Sequence, residues 1–277
     1  MQEPYGPAAA LLQDPALAGH IRRFLAFARS YRRGEPEYDR YLELKEEHTF
    51  RVLERAARIA DQETAFAAGP LRRALLLAAL YHDLARFPQF ASFRTFSDAR
   101  CFDHGLAASR ELGRGLFLAA EPSPLPGFIR AAVAVHNRAR VPRQLASEPA
   151  LLARALRDAD KLDILVIMLE HYRSPAPDAA VIMNMADSAE PSPAVVAALR
   201  EKRQALYADM RTRVDFQLLL MTWVYDIYFP AALRMALDEG LFASMAALLP
   251  DAPLFRKLAA RYAEDLERLR AEGRPQA

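Results

Sequence analysis

The stretch LAALYHDLARFPQF, residues 77–90, opens as small and apolar residues and then sets an imidazole beside a carboxylate, His82-Asp83, with Arg86 one helical turn on. A polar group buried without a partner is costly, and a lone buried charge more so. Four more residues fall on inward helix faces. His48 precedes Val52, Ala56 and Ile59 at steps of four, four and three, which places it on their face. His136 follows Ile129 and Val133 at steps of four and three, and Asp160 lies four after Leu156 and four before Ile164. His104 opens a helix after Asp103, with Ala108 and Leu112 below it. One histidine on an apolar face is commonly a hydrogen-bonded core residue. Several imidazoles and two carboxylates facing inward from separate helices are hard to satisfy that way. They are natural ligands for Zn, Mn, Fe, Co or Ni, and a cation neutralises Asp83 and Asp160. His20, in ALAGHIRRF, and His171, at a helix end, lie outside the pattern and read as structural.

The elements that must position these groups are helices. Strand-like alternation is nearly absent, and 3.6-residue periodicity predicts helices near 9–31, 38–62, 70–86, 103–119, 125–137, 149–172, 192–213, 216–238 and 253–272. GEPE at 34–37, Gly69-Pro70, EPSPLPG at 121–127, SPAPD at 174–178 and EPSP at 190–193 separate them. The expected fold class is all-α, one helical domain over 1–277. Its core spans about 38–172, its C-terminal helical extension about 190–277, and a long loop or arm lies at 174–194. The segment FQLLLMTWVYDIYF, 216–229, must bury, inside the monomer or against a second copy.

Composition bounds the rest. At 52% apolar residues the chain is globular, and 37 basic against 35 acidic side chains give no electrostatic case for nucleic acid as the main partner. Cys101 is the only cysteine, so neither an intramolecular disulfide nor a thiolate zinc site can form, which fits a reducing compartment. The first residues lack a secretory signal pattern, and no segment has the apolar length of a membrane span. The expected location is the cytoplasm, with no membrane partner.

In the order His48, His82-Asp83, Asp160, together with the wording YHDLARFPQF, FDHG, VHN and RDADKLDIL, residues 45–170 resemble the HD-domain superfamily of metal-dependent phosphohydrolases, in a bacterial branch with extra histidines. The resemblance implies an HD-like helical bundle with added N- and C-terminal helices, and a metal site of His48, His82, Asp83 and Asp160. In branches with two further histidines, here His104 and His136, the aspartate of the pair bridges two metals, a role that falls to Asp83. Two departures stand out. Dinuclear branches often carry lysine where this chain has Arg86, and the acidic residue that follows the pair in the mononuclear nucleotidase-like branch is missing from HDLARF. The GYP signature of the cyclic-di-GMP branch is also absent.

The implied chemistry is phosphate-ester hydrolysis of a small phosphorylated substrate, with a nucleotide among the candidates. One or two divalent transition metal ions (Fe, Mn, Ni, Co or Zn) would activate water for in-line attack. Asp83, Arg86 and Lys161 are the candidate catalytic residues; Arg86, Asn137 and Lys161 are the candidate phosphate or substrate contacts. Asn137 suits a helix-end cap better still. Phe87, Phe90, Phe93 and Phe96 recur every three residues, a spacing that suits core packing or stacking on a base. Two other functions share parts of this reading. A mixed-valent di-iron oxygenase of the inositol oxygenase or phosphonate-cleaving type has the same ligands, and a non-catalytic nucleotide-binding regulatory module predicts a degraded ligand set.

Overall fold

Prolines cut this chain into helices. Pro15, Pro36, Pro193, Pro230 and Pro253 each sit in a first helical turn, where the missing N–H leaves no bond unmade. The computed structural model describes residues 11, 14–67, 69–175, 185–186 and 188–273. Among these there is no strand beyond an isolated bridge between Ala186 and Thr212. The predicted all-α class is what the chain adopts. The helices are α1 (Pro15–Arg29), α2 (Pro36–Gln62), α3 (Leu71–Tyr81), α4 (Arg86–Phe93), α5 (His104–Arg114), α6 (Leu125–Val133), α7 (Ser147–Arg173), α8 (Pro193–Arg200), α9 (Arg213–Thr222), α10 (Pro230–Asp238), α11 (Leu241–Ala247) and α12 (Pro253–Glu272), with a short turn at Thr64–Ala67. No described helix is long and apolar enough to cross a membrane.

The contacts divide the chain into two compact units, Met1–Asp163 and Ile164–Ala277, with the boundary inside α7. In the first unit α3 is central. It is buried from Ala74 to Tyr81 and lies against α1, α2 and α6, which explains its nearly unbroken apolar run. Phe24, Phe50 and Phe87 close an aromatic layer beside it in edge-to-face pairs. Phe90 packs on Tyr38, Tyr41 and Phe96, so this part of the phenylalanine series is core; Phe93 is exposed.

In the second unit α9 is buried from Val214 to Thr222, and α8 and α11 lie against it. A capping box between Thr212 and Asp215 starts α9. The apolar segment 216–229 therefore buries its first half inside the monomer. It is not one helix through 238: Pro230 starts a new helix after a 3₁₀ turn at Trp223–Asp226. Much of the loop expected at 174–194 (176–184 and 187) lies outside the described residues.

The helix expected over 70–86 ends at Tyr81. Residues 82–85 form tight turns, with Leu84 N–H donating to the Tyr81 carbonyl and Arg86 N–H to the Asp83 carbonyl. The cause is His82, whose Nδ1–H takes the Ala79 carbonyl at 2.7 Å, one of the acceptors a helix end leaves free. The same device ends α6, where His136 Nδ1 lies 2.7 Å from the Val133 carbonyl.

Candidate metal centre

His48 comes from the middle of α2, His82 and Asp83 from the turn after α3, His104 from the first residue of α5, His136 from the turn after α6, and Asp160 from α7. All six meet in the first unit. His48 Nε2 lies 3.3 Å from His82 Nε2, 3.2 Å from Asp160 Oδ1 and 3.6 Å from Asp83 Oδ2. His104 Nε2 lies 3.1 Å from His136 Nε2 and 3.3 Å from Asp83 Oδ1. Three overlapping groups have ligand atoms close enough to share an ion: His48, His82 and Asp83; His82, His136 and Asp160; Asp83, His104 and His136. The two oxygens of Asp83 are thus divided, Oδ2 toward His48 and His82 and Oδ1 toward His104 and His136.

Tautomers decide what such a cluster can hold. Each imidazole commits Nδ1 to an acceptor on the far side of its ring. His48 Nδ1 is 2.6 Å from Asp163 Oδ2, His104 Nδ1 is 2.6 Å from Asp98 Oδ2, and His82 and His136 donate to the carbonyls named above. A neutral ring that donates through Nδ1 keeps a lone pair on Nε2. With all four rings neutral, four such lone pairs face one another and two carboxylates; for His48, burial and Lys45 lower the pKa but its hydrogen bonds to Asp160 and Asp163 outweigh them and raise it. Acceptors at 3.1–3.3 Å from each other cannot hydrogen-bond without an added proton, but they can share a cation. Burial pushes His104 and His136 down to about 4, so both stay neutral, as ligands must be. Burial alone would raise the Asp83 carboxyl, but Lys45, His82, Arg86 and His104 outweigh it and hold the group well below its usual range. The C-terminal ends of α3 and α6 both terminate at the cluster, where their partial negative charge favours a cation. The donor set fits a divalent metal that prefers nitrogen and oxygen ligands.

Sequence reasoning missed the groups that orient the ligands. Asp163 holds His48 and is itself held by Arg51, with Nε at 2.7 Å. Asp98 joins His104 to Arg86 Nη1 (2.8 Å), Gln89 Nε2 (3.1 Å) and Asn137 Nδ2 (3.1 Å). Lys45 sets its ammonium 2.7 Å from Asp83 Oδ2 and over the ring of Phe96. Two of these carried a signal: Asp163 is three residues after Asp160 and Lys45 three before His48, each on its ligand's helix face. Asp98 carried none, because its contacts depend on how the loop 94–103 closes.

The expected substrate contacts occupy different settings. Arg86 Nη1 donates to Asp98, to Gln89 Oε1 at 2.7 Å and to the Phe96 carbonyl at 2.5 Å, while its Nε faces Asp83 Oδ1 at 3.4 Å. Asn137 Nδ2 ties Asp98 to Asp103 Oδ1 (3.0 Å), and its buried Oδ1 has no hydrogen-bond partner among the described residues. Gly105 permits this approach: a Cβ there would stand 2.8 Å from Asn137 Oδ1 and 2.9 Å from the Val133 carbonyl. Lys161 is buried beside Asp160 on α7. His20, read as structural, binds Tyr81 (3.0 Å) and Glu121 (2.9 Å) away from the cluster. His171 donates to the Ile167 carbonyl of its own helix.

Residues 46–165 match the family model of the HD domain. This stretch is an HD domain. The match takes in all six converging side chains and Asp163, and begins one residue after Lys45. No curated protein and no solved structure gives a match. HD domains are metal-binding and commonly hydrolytic, and the His/Asp cluster of this HD domain fits that character.

Proposed function

We propose that this HD-domain protein is a metal-dependent phosphohydrolase with a dinuclear centre, acting on a small phosphate ester. His48, His82, Asp83 and Asp160 would hold one ion, His104 and His136 the other, with Asp83 shared. The observation that carries this reading is the division of the Asp83 oxygens between two sets of imidazole lone pairs. A ligand set with every member in place argues against a non-catalytic module.

When bound, divalent ions lower the pKa of water and offset charge on phosphate oxygens. The chain's residues do the remaining work. Asp163 and Asp98 fix the ring orientation of His48 and His104, so that Nε2 is offered and Nδ1 is not. Arg86 braces the 96–98 segment and keeps positive charge on the Oδ1 side of Asp83. Lys45 is the cation suited to reach substrate. Among the described residues its ammonium pairs with Asp83 and lies over the Phe96 ring, and its side chain is 17% exposed. Were Asp83 to hold metal, that ammonium would be the cation available to a non-bridging phosphate oxygen, where its charge would stabilise the transition state.

The test is elemental analysis of protein purified without chelator, followed by hydrolysis of p-nitrophenyl phosphate and bis(p-nitrophenyl) phosphate with Mn, Fe, Co, Ni and Zn. About two ions per chain and metal-dependent nitrophenol release are expected. Oxygen uptake with a polyol or phosphonate, and no ester hydrolysis with any metal, would overturn the proposal in favour of an oxygenase.

A further inference from the structure

The six ligands are not equally enclosed. Five have side chains 0–6% exposed, whereas Asp160 is 16% exposed, so the cluster opens on the Asp160 side. Arg157 lies one turn before Asp160 on α7, about 4.5 Å along the axis. It is buried, and its guanidinium donates to the carbonyls of His136 (3.3 Å), Arg138 and Ala139 (3.2 Å). This clamp ties the start of the segment that follows His136 to the turn of α7 before Asp160, whose carboxylate shares a ligand group with His136.

The pinned segment is NRARVPR, residues 137–143. Arg138, Arg140 and Arg143 are exposed, and none has an ion-pair partner among the described residues. No acidic residue occurs from 122 to 147, so nothing nearby in the chain neutralises them. Arg138 is two residues from His136, and the backbone between them spans at most about 7 Å; for Arg140 the limit is about 14 Å. Elsewhere in the first unit arginines are commonly paired, as Arg51 is with Asp163, Arg73 with Glu121 and Arg86 with Asp98. Three unpaired guanidinium groups on a clamped loop at the mouth of a phosphate-directed centre match a row of further phosphate charges.

We infer that the 138–143 loop binds the rest of a polyphosphorylated substrate, a small molecule carrying at least two linked phosphates, whose scissile phosphorus sits at the His/Asp cluster. The inference rests on the phosphohydrolase reading and names the substrate class for it. It makes Arg138, Arg140 and Arg143 specificity residues that contact the distal phosphates, and Arg157 a positioning residue that holds their loop.

The test uses the full-length, metal-loaded protein with free metal kept saturating. Binding of inorganic phosphate and of tripolyphosphate is measured by calorimetry for the wild type and for the triple variant Arg138→Gln, Arg140→Gln, Arg143→Gln. The positions are exposed, so the variant should fold, and unchanged circular dichroism and metal content verify that. The expected result is at least a tenfold loss of tripolyphosphate affinity with less than a twofold change for phosphate. Equal affinities in variant and wild type overturn the inference and leave the hydrolase reading standing. Failure of the wild type to bind either anion overturns both. A single-stranded oligonucleotide that loses affinity in the variant while tripolyphosphate does not would make the loop a nucleic-acid contact and also overturn it.

Discussion

The ammonium of Lys45 lies 2.7 Å from Asp83 Oδ2, on the oxygen that faces His48 and His82. A cation on that atom competes with any ion the two imidazoles would share. Lys45→Met should therefore do two opposite things: tighten metal binding, by roughly tenfold for a unit charge removed at this range, and slow turnover, by about 10²-fold if the ammonium stabilises transition-state charge. Metal titration beside steady-state kinetics separates the two. A variant that loses both metal and activity would show Lys45 to be a structural support only.

Asp163 and Asp98 are a matched pair of orienting groups, one for each set of imidazoles. Replacing either by asparagine keeps the shape and weakens the acceptor. Each change should lower metal affinity by about 10–100-fold. Asp163→Asn should act on the ion held by His48 and Asp98→Asn on the ion held by His104, which sequential metal titrations of the two variants will read. Asp98→Asn should also loosen the 94–103 loop, since it weakens the anchor of Arg86, and faster proteolysis of that loop is the second readout.

Gly105→Ala probes the close approach of α5 to α6. The new methyl would meet the Val133 carbonyl, which is backbone and cannot yield cheaply, at 2.9 Å. We expect about 1–3 kcal/mol of destabilisation, visible in chemical denaturation, and weakened binding of the second ion because His104 is the preceding residue.

The His20 cluster sets a pH dependence separate from the metal centre. Burial lowers the His20 pKa below 6.5, outweighing Glu121, whose hydrogen bond and charge raise it; Arg73 and Arg23 add to the lowering. The unfolded chain then binds a proton near pH 6.5 that the folded chain resists, so stability falls as pH drops below about 6.5. Thermal melts of metal-free protein between pH 7 and 5 should show this decline, with a shallower slope in His20→Gln. Equal slopes would mean that His20 titrates alike in both states.

His48, His104, His136 and Asp160 were legible in the sequence because they fall at helical steps from apolar neighbours, and His82-Asp83 because it ends a buried apolar run, both local rules. The helix bodies were legible for the same reason, and proline and glycine marked their breaks. What the sequence hid depends on closure between distant segments. Asp163 meets His48 across 115 positions, and Asp98 gathers four partners only after its loop folds back. The early end of α3 was hidden because a side chain, His82, rather than a glycine or proline, terminates it. The segment 216–229 reads as one apolar stripe, yet a proline at 230 and a 3₁₀ turn divide the region.

His82 and His136 each grip a carbonyl three residues back in their own chain, whereas His48 and His104 depend on acidic side chains outside their helices. Half of the nitrogen donors are therefore aimed by short-range structure alone. During folding these two rings can take their final direction as soon as α3 and α6 form, before the rest of the domain has collapsed. Conversely, unravelling the last turn of either helix would misdirect one of these candidate ligands, so any ion they held would be loosened by fraying at those two ends.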